Sequence, residues 1–123
     1  MSLLPGAALT PEGWRSGPVR VGASGRIEAV EGTLLTEAQA RQGPCLLPGF
    51  VDLHVHGGGG ADTMEGGEAV ATLARTHARH GTTALLATTM TAPQAEIEAA
   101  LRALAPHAAT RPSHGARVLG VHL

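Results

Sequence analysis

Three apolar runs, Gly49–His56, Thr83–Thr89 and Arg117–Leu123, alternate with two stretches of helical period, and nothing else in the chain constrains its fold as much. In the first helical stretch, about Glu68 to His80, Val70, Leu73, Ala74 and His77 fall at i, i+3, i+4 and i+7 on one face. Gly81 follows, where a left-handed C-terminal cap is expected. The second helix runs to about Ala105 and buries Ile97, Ala100, Leu101 and Leu104. Thr91-Ala92-Pro93-Gln94 reads as its capping box, with Thr91 as N-cap and Gln94 at the third helical position. Strands alternating with helices imply an α/β fold with a parallel sheet and right-handed crossovers. Near-continuous apolar strands agree, because such sheets are covered on both faces.

Residues 1 to 47 have a different texture. Val19, Val21, Ile27 and Val30 are β-formers around the turn Ala23-Ser24-Gly25-Arg26, which predicts a hairpin of Pro18–Gly22 with Arg26–Val30. A further β piece is expected over Pro44–Leu47, and Leu34 to Gln42 reads as a loop or a short turn of helix. Two domains are therefore expected, 1–47 and 48–123.

Side-chain parity sharpens the first apolar run. Residues i and i+2 of a strand share a face. Phe50, Asp52, His54 and His56 thus lie on one side, and the aliphatic Val51, Leu53 and Val55 on the other, suited to packing against helices. His54 and His56 aim two imidazoles at one point, which is half of a metal site. Two surface histidines would look the same from spacing alone. Asp52 is either a structural carboxylate accepting hydrogen bonds beneath the metal or an acid–base group. Gly57 to Gly67 is expected to be a glycine-rich loop, and no Gly-Lys-Ser/Thr follows to make it a phosphate-binding loop. His77 and His80, on the outer helix, are not expected to be ligands, and His107 and His114 flank a loop. His122 ends a strand, so residue 124 would share its face.

Composition narrows the function classes. The nine basic residues are all arginine and are scattered, net charge is −1, and Trp14 and Phe50 are the only aromatic residues. Neither a nucleic-acid surface nor a membrane-binding stripe is expected. No apolar run approaches the roughly 18 residues of a membrane span. The single cysteine, Cys45, excludes an intrachain disulfide and fits a reducing, cytoplasmic location.

Pro48 to Gly57 resembles the first barrel strand of the amidohydrolase superfamily, where Pro-Gly-Phe-(Ile/Val)-Asp-x-His-x-His supplies two metal ligands. Gly57–Gly66, Gly81–Thr91 and Gly120-Val121-His122-Leu123 are similar to segments of the N-acetylglucosamine-6-phosphate deacetylase family. The resemblance implies the first three strands of a metal-dependent (β/α)8 barrel, an incomplete barrel here, preceded by strands of a small β-sandwich. It implies His54 and His56 as ligands of a divalent metal, zinc or iron, and His122, Gly57 and Thr89 as walls of the active site. Some members of the family lack the two histidines and keep one metal; this chain has both. A metal-binding glutamate is implied at position 124, with further histidines, the general-base aspartate and the phosphate-binding groups beyond it.

The implied reaction hydrolyses the acetamide of a phosphorylated amino sugar, N-acetylglucosamine 6-phosphate, to glucosamine 6-phosphate and acetate, in a homo-oligomer. The 123 residues alone are expected to be a part of the enzyme, to be inactive, and to self-associate through open sheet edges. Three other readings compete, one of them a plain structural zinc site, for which no other ligand pair occurs at zinc-finger spacing. A dihydroorotase-like or hydantoinase-like enzyme shares the H-x-H strand but bridges its metals with a carboxylated lysine. A non-catalytic interaction module would bind no metal.

Overall fold

The structure is a computed structural model that describes all of residues 1–123. Contacts divide the chain into two compact units, Met1–Pro48 and Gly49–Leu123.

The first unit is built from short strands: β1 (Ser2–Leu4), β2 (Ala7–Thr10), β3 (Gly13–Arg15), β4 (Val19–Val21), β5 (Ile27–Val30), β6 (Leu34–Leu35) and β7 (Cys45–Leu46). They form two sheets, in the orders β1-β4-β5 and β6-β3-β2-β7. The expected hairpin is β4 with β5, which pair antiparallel and are closed by Gly22 N–H to Arg26 O at 2.9 Å. The stretch after β6 contains one helical turn, α1 (Glu37–Ala40). It forms because Thr36 and Gln39 make a complete capping box, so two orphan N–H groups are satisfied at once. Ala7, Ala8, Val19 and Ala40 are its buried apolar residues.

The second unit carries β8 (Phe50–Val55), a two-residue ribbon of β9 (Gly57–Gly58) with β10 (Ala61–Asp62), a 3-10 turn (Thr63–Glu65), α2 (Gly67–Ala78), β11 (Thr82–Thr88), α3 (Gln94–Ala109) and β12 (Arg117–His122). The sheet order is β12-β11-β8, all parallel, with a helix in each connection. Its core joins Val55, Val70, Leu73, Leu85, Ala87, Leu104, Ala116 and Val118. Gly81 takes φ +91° after α2, and its N–H donates to Ala78 O at 3.1 Å, so the helix stops where only glycine is comfortable. No helix is long and apolar enough to cross a membrane.

Four expectations need correction. The glycine-rich segment is not an open loop: Gly57 pairs with Asp62 and Gly58 with Ala61, and Asp62 and Glu65 form a capping box on the 3-10 turn. Thr91 does not cap α3. Pro93 is the N-cap, with ψ 144°, and its carbonyl takes Glu96 N–H and Ile97 N–H, while the Gln94 side chain reaches Glu98 instead. The helix also continues through Pro106 to Ala109; a proline removes one N–H but does not always end a helix. Finally, the aliphatic face of β8 is not packed along its length. Val55 is buried, but Val51 and Leu53 are 55% and 60% exposed. The reason is positional: α2 lies on β11 and α3 on β12, leaving β8 at the sheet edge.

Candidate functional site

The strand places both histidines where parity puts them. His54 is near the C-terminal end of β8 and His56 is just beyond it. Their Nε2 atoms are 3.1 Å apart, and the rings meet edge-on with centroids 4.9 Å apart. Asp52 sits below on the same side. Its Oδ1 accepts the backbone N–H of His54 at 3.0 Å, which braces the end of β8 through its main chain. This supports the structural-carboxylate reading of Asp52.

His122, at the end of β12, joins the pair. Its ring lies 4.8 Å from that of His54 at 86°, and its Nδ1 is 3.3 Å from Leu53 O. Thr89 is buried and donates its N–H to His122 O at 3.0 Å, so the ends of β11 and β12 are fastened together. Gly57 follows His56 directly, and a Cβ there would collide with the Ala61 carbonyl of the ribbon. The four residues His54, His56, His122 and Thr89 thus gather at the C-terminal ends of the three parallel strands, with Gly57 just behind.

Three supporting residues escaped the sequence reading. Thr63 is fully buried; its N–H donates to His56 O at 2.7 Å and its Oγ1 to Val55 O at 3.4 Å. Thr88 Oγ1 accepts the Val55 N–H at 3.0 Å. His77 Nε2 donates to Gly57 O at 2.9 Å, and its ring occupies the space that a side chain at Gly58 would need. The signal for His77 was present: a polar residue on the buried stripe of a helix must find a partner. Nothing in the local pattern marked Thr63 or Thr88.

The two nitrogens fit a metal. Atoms 3.1 Å apart can both lie within the ~2.0–2.1 Å of a zinc–nitrogen bond from one ion. His56 Nδ1 is buried without a hydrogen-bond partner, so that ring has Nε2 as its one engaged nitrogen. No group of three or more His, Cys, Asp or Glu residues is arranged to hold a metal ion, so at most two such side chains could meet one ion.

The profile of the Amidohydrolase family matches residues 45–113, more than half of the chain. The chain belongs to the amidohydrolase family. Within this family it is similar to the N-acetylgalactosamine-6-phosphate deacetylase of Escherichia coli, 39% identical over 116 residues, which are 94% of this chain and 30% of that protein. The N-acetylglucosamine-6-phosphate deacetylase of Bacillus subtilis is 40% identical over 90 residues, 71% of this chain and 23% of that protein. The crystal structure of the N-acetylglucosamine-6-phosphate deacetylase of Thermotoga maritima superposes with a TM-score of 0.80 at 30% identity, over 99% of this chain and 31% of that one. The amidohydrolase chain described here therefore spans about 30% or less of the length of these relatives.

Proposed function

We propose that the protein built on this chain is a metal-dependent amide hydrolase that converts N-acetylglucosamine 6-phosphate to glucosamine 6-phosphate and acetate. The observation that carries the reading is the pair of Nε2 atoms 3.1 Å apart at the C-terminal end of β8, in a chain 39–40% identical to amino-sugar-phosphate deacetylases. On this reading β8, β11 and β12 open a (β/α)8 barrel, whose active site lies at the C-terminal ends of its strands. Met1–Pro48 contributes to a small β-sandwich. The enzyme is cytoplasmic and homo-oligomeric.

His54 and His56 would hold a divalent ion, zinc or iron, both of which suit imidazole donors. When bound, such an ion supplies an acidified water and a Lewis acid for the amide carbonyl. The chain's own residues orient this half of the site. Asp52 fixes the His54 main chain, Thr63 holds the His56 carbonyl, and His77 holds Gly57. A carboxylate outside these residues serves as general base, taking the proton of water and delivering it to the leaving amine.

Acetate release by the full-length protein tests this, with N-acetylglucosamine 6-phosphate and its galacto epimer offered in parallel. The epimer is included because the E. coli relative is named for it. Turnover of the gluco substrate, lost with a chelator and restored by zinc or iron, is the expected result. Release from the galacto epimer alone would move the substrate, and release from neither would overturn the proposal.

A further inference from the structure

The two imidazoles are held unequally. His56 is half-buried, and its carbonyl is tied to Thr63 at 2.7 Å. His54 is exposed, and its ring stands between two others, His56 at 4.9 Å and His122 at 4.8 Å, both near perpendicular. His122 does not belong to a neighbouring strand, since β11 lies between β12 and β8. Adjacent strands are about 4.7–4.9 Å apart, so the backbones of β8 and β12 are separated by roughly twice that. Ring centroids at 4.8 Å therefore require both side chains to lean over the same face of β11. The lean of His122 is anchored. Its Nδ1 reaches Leu53 O, the carbonyl just before His54, at 3.3 Å. A carbonyl only accepts, so Nδ1 carries the proton and Nε2 the lone pair.

We propose that His122 is a positioning residue: anchored on the Leu53 carbonyl, its ring walls His54 and keeps His54 Nε2 at chelating distance from His56. The proposal rests on the reading that His54 and His56 hold a metal. Without the wall, an exposed histidine samples three χ1 wells and two broad χ2 wells, roughly six states, of which one aims Nε2 at His56. Losing this order should weaken metal binding about tenfold, the lower end of what outer partners of a metal site contribute.

The test is Co²⁺ affinity, by chelator competition, together with the visible spectrum of the bound cobalt, in the full-length protein. The His54→Ala, His56→Ala double variant should lack one cobalt site, and that site is the one followed. His122→Ala should weaken it about tenfold and change its spectrum. His122→Asn keeps a donor for Leu53 O but no wall, and should behave like alanine. His122→Phe keeps a ring but loses its anchor, and should fall between wild type and alanine, about threefold weaker than wild type, by the same count of side-chain states. Unchanged affinity and spectrum in a folded His122→Ala protein would overturn the proposal and leave the metal reading standing. A double variant with the full wild-type set of cobalt sites would overturn both. Should the variants fail to fold, the nitrogen-15 spectrum of the metal-free wild type decides. His122 protonated on Nδ1 is the expected result, and protonation on Nε2 would overturn the proposal.

Discussion

Two neutral imidazole nitrogens 3.1 Å apart cannot both present lone pairs to each other; either one donates a proton to the other, or both face a shared cation. That choice makes single residues around the pair informative. Gly57→Ala would drive a methyl group into the Ala61 carbonyl, an overpacking that typically costs ~1–3 kcal/mol. Thermal unfolding of the full-length protein should register that loss. Gly60→Ala meets no atom and strains only a φ of +81°, so its penalty should be smaller. Parity alone made the shared face of Asp52, His54 and His56 legible, because a strand has one period. The hydrogen bond from His77 to Gly57 was not legible, because it joins residues 20 apart through a ribbon whose glycines carry no pattern.

Among the elements, the strands and helices of the second unit were legible from apolar period, and their ends were not. Hairpin β4–β5 and the Gly81 stop follow from local chemistry, as does the burial of Val70, Leu73 and Ala74 on α2. The start of α3 does not. Thr91 and Gln94 have the right spacing for a cap, but an extended Pro93 shifts the first helical residue to Gln94. Packing was legible at the centre of the unit, on α2 and β11, and not at the β8 edge. Leu73 and Leu85 are fully buried, and replacing either with alanine should cost ~2–5 kcal/mol in denaturant unfolding. Leu53 is 60% exposed in these residues, and Leu53→Ala in the 123-residue chain should stay within ~0.5 kcal/mol of wild type.

For the whole molecule, the proposed barrel and the exposed flank of β8 are one question. A (β/α)8 barrel takes eight strands and about 250 residues, whereas the second unit has a sheet of three. Phe50, Val51, Leu53, Leu119 and Leu123 are all exposed, and β8 and β12 each have an unpaired edge. If later strands and helices cover them, Leu53→Asp should disrupt the full-length protein while leaving the 123-residue chain no less folded than before. The short chain should self-associate in light scattering, as open edges do, and should release no acetate. The central claim is that this chain carries half of a hydrolytic metal centre. Elemental analysis of the full-length protein, wild type beside the His54→Ala, His56→Ala double variant, tests it most directly. The variant should hold about one zinc or iron ion fewer per chain, since two of the roughly three protein ligands of a catalytic ion are gone. Equal metal in the two proteins, both folded, would contradict the claim.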